Sequence, residues 1–161
     1  EFKSPYGFGA VNSAGTVFAF TSGGVQSFTI DPTSGALTLA SPVAAGSPST
    51  VTNVVMNPSG TYAYATDGAI VEAFSVNATT GVLTATAESP FPTNAVQDVN
   101  VTGSSLIVFD QTGQFLYVGN RAANRIFGFA VDPTSGALTA LPGSPYATSL
   151  SLYTLLSATI S

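Results

Sequence analysis

Few side chains in this sequence can carry out acid–base or ionic chemistry, so the candidates can be weighed one at a time. Across 161 residues there is no His and no Cys, and only three basic side chains stand against eight acidic ones. Without an imidazole or a thiolate, the commonest general base and the commonest soft metal ligands are both absent. Arg121 and Arg125 are the only basic residues after Lys3. They flank one turn, next to Asn120, where paired guanidinium forks could hold a carboxylate or phosphate. The same spacing also allows pairing with Asp110, Asp132 or backbone carbonyls. Glu72 interrupts an apolar run, where a desolvated carboxylate could serve as an acid or base. Strand alternation places it instead on a solvated face, opposite Ala73.

Asp98-Val-Asn100-Val-Thr102-Gly103 begins like a calcium loop, but Phe109 stands where a bidentate Glu is required. No metal site and no cofactor is expected. Asn77-Ala-Thr79 and Asn100-Val-Thr102 are formal glycosylation acceptors. Nucleotide-binding and nucleophile-elbow fingerprints are absent.

A net charge of −5 makes nucleic acid and anionic membrane poor partners, and no apolar run approaches the ~18 residues of a membrane span. Charged residues make up 7% of the chain, against about 25% in ordinary domains, while 45% are hydrophobic. Ser, Thr, Gly and Asn replace the charge, a composition common in secreted, periplasmic or cell-surface all-β proteins.

These candidates are carried by a repeat. The turn Asp31-Pro-Thr-Ser-Gly35 returns as Asn77-Ala-Thr-Thr-Gly81 and Asp132-Pro-Thr-Ser-Gly136, with closing glycines 46 and 55 residues apart. Each is preceded by a second turn: Asn12-Ser-Ala-Gly15, Asn57-Pro-Ser-Gly60 and Asp110-Gln-Thr-Gly113. Those glycines lie 45 and 53 residues apart, so the second interval holds an insertion, placed within 95–105. Phe28, Phe74 and Phe129 each sit three residues before the later turn, and Leu37, Leu83 and Leu138 two after its glycine. Asp or Asn can bond forward to the backbone, and Gly supplies the positive φ that ends the turn. Between turns the runs are β-branched and aromatic and show no helical period.

Four short antiparallel strands repeated every ~45 residues are the pattern of a β-propeller blade. The fold class is all-β: a single partial propeller over 1–161, with four-stranded blades near 8–48, 52–94 and 99–147. An extra strand is expected at 150–160. Each blade ends in a Ser-Pro loop, at Ser41-Pro42, Ser89-Pro90 and Ser144-Pro145. Three blades cannot close a ring, so closure falls to oligomerisation or to further chain. A homodimer closing a six- or eight-bladed ring would bring Leu150, Leu152, Leu155 and Leu156 of one copy against Tyr6 and Phe8 of the other.

Asp110-Gln-Thr-Gly-Gln-Phe-Leu-Tyr-Val-Gly-Asn-Arg121, followed by Ile126-Phe-Gly-Phe-Ala-Val-Asp-Pro-Thr-Ser-Gly-Ala-Leu138, resembles the lactonase-type propeller repeat. That family comprises 6-phosphogluconolactonase-like proteins and YVTN surface-protein propellers. The resemblance implies rings of usually seven blades, with polar residues around a central channel performing any catalysis. Asn120-Arg121 is the pair that matches by motif. Two functions follow as expectations. The first is a non-catalytic module for binding or assembly, with Asn120, Arg121 and Arg125 holding a small anionic or carbohydrate ligand. The alternative is a lactonase-like hydrolase acting on an anionic lactone or sugar-acid substrate in the completed ring, with Arg121 steadying the anion.

Overall fold

The computed structural model describes residues 9–41, 44, 51–93, 106–120 and 123–148. Among these every regular element is a strand. The first sheet holds β1 (Gly9–Val11), β2 (Val17–Thr21), β3 (Val25–Ile30) and β4 (Leu37–Ser41). The second holds β5 (Asn53–Met56), β6 (Tyr62–Thr66), β7 (Ile70–Val76), β8 (Leu83–Ala85) and β9 (Phe91–Pro92). The third holds β10 (Leu106–Phe109), β11 (Phe115–Asn120), β12 (Arg125–Val131), β13 (Leu138–Ala140) and β14 (Tyr146–Ala147). Each sheet is an antiparallel meander in chain order. The innermost strand of the second sheet, β5, packs between β1 and β10, as in a radial array.

The two expected turns recur in every sheet, and the structure shows why their residue types repeat. At the first turn Asn12 Oδ1 accepts the Thr16 and Val17 N–H groups at 2.8 and 2.9 Å. Asn57 takes the Thr61 and Tyr62 N–H groups at 2.9 Å each, and Asp110 takes that of Phe115 at 2.9 Å. At the second turn Asp31 accepts the Thr33 and Ser34 N–H groups at 2.9 and 2.8 Å, and Asp132 those of Thr134 and Ser135 at 2.7 and 3.0 Å. Asn77 accepts those of Thr79 and Thr80 at 3.0 and 2.9 Å. Gly35, Gly81 and Gly136 close these turns at φ of 71°, 72° and 74°, between the third and fourth strands as the repeat predicts.

The same turns give the chain an acid sensitivity. The Ser34 N–H, then the Ser34 hydroxyl and the Thr33 N–H, hold the Asp31 carboxyl below its ordinary pKa. Asp132 is lowered by the Ser135 and Thr134 N–H groups. Burial pushes Asp110 up, but the Thr112 hydroxyl and the surrounding N–H groups outweigh it and the net shift is downward. A folded pKa below the unfolded value of ~3.9 adds stability above that pH and loses it as pH falls through the folded value. The urea midpoint is therefore expected to drop between pH 5 and pH 2.5. The triple substitution Asp31→Asn, Asp110→Asn, Asp132→Asn should flatten that profile, since Asn12, Asn57 and Asn77 already build both turns without charge. An equally steep profile in the triple variant would contradict this.

The fourth strand differs from expectation. Two of the sheets have five strands rather than four, because the fourth is broken into β8 and β9, or β13 and β14. Both pieces pair with the same edge of β7 or β12. In the gap Ser89 Oγ accepts the Ala73 N–H and Ser144 Oγ that of Gly128, each at 3.1 Å. In these two loops the serine thus stands in for a missing ladder acceptor opposite the third strand, whose N–H would otherwise be left unpaired. Both Ser-Pro peptide bonds are cis.

The core lies between sheets. Ala19 and Val25 of the first meet Val54, Ala63, Ala65, Phe74 and Leu83 of the second. Tyr64, Val71 and Ala73 of the second meet Ile107, Leu116, Val118, Phe127 and Phe129 of the third. Both faces of the second sheet are therefore covered. Strand alternation then stops predicting exposure, and the solvated position expected for Glu72 is wrong: its side chain is 2% exposed. Its cross-strand partner is Ala65, so it shares the face of Ala63, Ala65 and Phe74, turned towards the first sheet.

The expected strand at 150–160, the insertion at 95–105 and the interface residues Tyr6, Phe8, Leu150, Leu152, Leu155 and Leu156 lie outside the described residues. So does the calcium-like segment 98–103.

Candidate functional site

Most of the buried polar side chains gather at one end of the sheets, where the second strand turns into the third. Thr21 ends β2, Thr66 ends β6 and Asn120 ends β11. Asp67, Glu72, Thr93 and Asn53 lie at the same end of the second sheet, Asn53 directly opposite Thr66. All seven are buried. A propeller needs only packed apolar faces to stand, so a polar cluster confined to one end is where chemistry would be placed.

The cluster is built around the hairpin Asp67-Gly68-Ala69. Asp67 Oδ1 accepts the Ala69 and Ile70 N–H groups at 2.9 and 3.1 Å, closing the turn. Thr66 Oγ1 donates to the Ile70 carbonyl at 2.6 Å and accepts the Gly68 N–H at 2.9 Å. Gly68 sits at φ 94°, in the region that favours glycine. Its carbonyl then receives two neighbours: Thr93 Oγ1 at 2.8 Å and Asn120 Nδ2 at 3.1 Å. The second bond crosses from the third sheet to the second. On the other side, Thr21 Oγ1 donates to the Thr52 carbonyl at 3.3 Å, linking the first sheet to the strand that enters the second. One end of all three sheets is thereby cross-braced by hydrogen bonds.

Asn120, singled out in sequence as a ligand residue, is fully buried, and its amide works on both atoms. While Nδ2 reaches Gly68, Oδ1 accepts the Ala123 N–H at 2.8 Å. Asn120 therefore ties the end of β11 to Ala123. Arg121 lies outside the described residues. Arg125 is exposed at the start of β12, with Asn120 and Ala147 as its cross-strand partners.

Glu72, Asp67, Thr93 and Asn53 were not proposed from sequence as one group. Their repeat equivalents differ in type, with Gln26 and Phe127 at the Glu72 position. A carboxylate where the other copies carry a neutral residue was the available signal. Among the described residues no three of His, Cys, Asp and Glu come together as a metal site would need. No helix there is long and apolar enough to cross a membrane.

The profile of the family described as lactonase, seven-bladed β-propeller, matches residues 53–148, which carry the second and third sheets. No curated protein sequence matches the chain. Among solved structures, a 6-phosphogluconolactonase-like protein from Bacteroides fragilis superimposes with a TM-score of 0.66 at 24% identity, over 83% of this chain and 37% of its own. The periplasmic gluconolactonase of Pseudomonas aeruginosa gives a TM-score of 0.62 at 22% identity, over 85% of this chain and 40% of its own. A Lactobacillus plantarum protein gives 0.64 at 20% identity, over 83% and 39%. At these identities the likeness is one of fold, and the chain spans about two fifths of the length of each of these structures. On the match across its second and third sheets, this chain belongs to the lactonase, seven-bladed β-propeller family.

Proposed function

We propose that the chain contributes to a site that hydrolyses the lactone of an anionic sugar acid. The observation that carries this reading is the polar cluster at the hairpin end of the three blades, with two buried carboxylates, Asp67 and Glu72, on the second. Family membership and those carboxylates support hydrolysis over a non-catalytic module for binding or assembly.

The roles follow from what each group already does. Asp67 uses Oδ1 to close its own hairpin, so it builds the site. Glu72 is not needed for that turn, and an apolar residue at its place would fold at lower cost. Glu72 takes the proton of a water that attacks the lactone carbonyl. The tetrahedral intermediate collapses with cleavage of the ring C–O bond, and the proton passes to the departing alkoxide to give the open hydroxy acid. Such base catalysis is worth roughly 10²- to 10⁴-fold. Arg121, next in sequence to Asn120, holds the phosphate or carboxylate of the substrate. The low charge and the periplasmic location named for the Pseudomonas relative support an extracytoplasmic site of action.

The test is proton release from 6-phosphogluconolactone and from neutral gluconolactone, measured by pH-stat against the spontaneous rate. Glu72→Gln is expected to lower kcat about a hundredfold or more on both substrates. Arg121→Ala should raise KM for the phosphorylated lactone and leave the neutral one unchanged. No turnover above background on either lactone, or full activity in Glu72→Gln, would overturn the reading.

A further inference from the structure

The sequence leaves Arg125 two uses, an ion pair that stabilises the fold or a contact to an anion, and the structure separates them. It is the one basic side chain among the described residues. Its candidate partners, Asp110 and Asp132, lie at the opposite end of the blade. Asp132 directly follows β12 and Asp110 precedes β11, so both stand about 20 Å away, the length of a seven-residue strand. Their carboxylates are already committed, Asp110 to the Phe115 N–H and Asp132 to those of Thr134 and Ser135. Among the described residues no hydrogen bond or ion pair reaches the Arg125 guanidinium, and the side chain is exposed.

The backbone at this position is nonetheless held on both sides. Arg125 pairs with Asn120 of β11 across one ladder and with Ala147 of β14 across the other. One residue earlier Asn124 takes φ 50°, and its carbonyl accepts both the Thr148 N–H and the Thr148 hydroxyl at 3.1 Å. Strand alternation gives the direction of the side chain. Phe127 and Phe129 pack with Tyr64, Val71 and Ala73 of the second blade, and Arg125 precedes Phe127 by two residues on the same face. It therefore leans over the second blade at the end where Asp67-Gly68-Ala69 turns, in a joint between two described blades. Asn120, about 5 Å from Arg125 between Cα atoms, donates to the Gly68 carbonyl of that hairpin. The guanidinium thus stands beside the polar cluster, and the fold does not use it.

We infer that Arg125 sets the specificity of the proposed site: its guanidinium contacts the anionic oxygens of the substrate and selects phosphorylated sugar lactones over neutral ones. A planar fork of N–H donors meets two phosphate oxygens at once, and the hairpin already holds the residue in place. On a chain with a net charge of −5, an uncommitted cation at this end is what draws an anionic substrate to it. The inference rests on the proposed hydrolysis, so binding and turnover are read separately.

The test compares the parent with Arg125→Gln and Arg125→Lys. For each, kcat/KM is measured on 6-phosphogluconolactone and on gluconolactone, and binding of the open acids, 6-phosphogluconate and gluconate, by calorimetry. Arg125→Gln is expected to lower the phosphorylated-to-neutral ratio of kcat/KM at least tenfold, through KM, and to weaken 6-phosphogluconate binding by the same factor. Arg125→Lys keeps the charge without the fork and should fall between the two. The urea midpoint should not move in either variant, because the guanidinium has no partner to lose. A drop would show that it serves the fold and would overturn the inference. An unchanged ratio and unchanged binding in Arg125→Gln, with hydrolysis intact, would overturn it alone. Selective 6-phosphogluconate binding that Arg125→Gln loses, in a chain without turnover, would uphold it while sinking hydrolysis. Neither turnover nor binding would overturn both.

Discussion

Replacing Phe74 with Ala is expected to remove about 4 kcal/mol of stability, a large part of what a domain of this size possesses. Phe74 is fully buried on the face that the second blade turns towards the first, among Ala19, Val25, Ala63, Ala65 and Leu83. Its neighbours are mostly small, so they cannot reach inward to fill the space left by the ring. The loss then contains both the transfer term and the cavity term. Phe74→Leu, which keeps most of the volume, should cost about 1.5 kcal/mol or less. It provides a measurable midpoint in urea if the Ala variant does not fold. Equal midpoints for Phe74→Leu and Phe74→Ala, both close to the parent, would show that the joint between the first two blades carries little of the stability.

Gly136→Ala is the second large effect, with an expected cost of about 3 kcal/mol. Two terms contribute. At φ 74° a Cβ is disfavoured by roughly 1–2 kcal/mol. The new carbon would also lie 2.6 Å from two atoms of the Tyr62 ring, and overpacking of this kind costs about 1–3 kcal/mol. The ring is not free to swing away, since the Tyr62 hydroxyl is bonded to the Thr134 carbonyl two residues before the glycine. Beside it the Tyr64 hydroxyl is bonded to the Gly136 carbonyl, and burial, then Tyr62 and Asp132, push its pKa up, so it remains a donor throughout the working pH range. A double-mutant cycle separates the two terms. In a Tyr62→Ala background the steric part should vanish and Gly136→Ala should cost only the backbone part. Additive losses in the cycle would mean that the ring and the turn are not coupled.

The turns, strands and repeat were legible in sequence because their causes are local. An Asp or Asn whose side-chain oxygen takes forward N–H groups, with a glycine closing the turn, needs only a few consecutive residues, and it recurs at each predicted place. The broken fourth strand was half legible. The Ser-Pro loops were visible, but the role of Ser89 and Ser144 as stand-in ladder acceptors depends on a third strand sixteen residues earlier in the chain. The site was the least legible. Asn120 could be picked out, but its bond to Gly68 spans 52 residues. The placement of Glu72 was misread because alternation assumes one wet face, and the second blade has none.

Asp31–Thr38 and Asp132–Thr139 mark the boundary between the two kinds of information. The same eight residues form the same turn twice, with the closing glycines at φ 71° and 74°. To that extent the sequence by itself determined the structure, since side-chain capping and the freedom of glycine act within a single turn. Only the tertiary structure made Gly136 buried and Gly35 exposed, and Leu138 covered and Leu37 open. The reason is that burial belongs to the joint between two blades, and among the described residues only the later of these turns sits on a preceding blade.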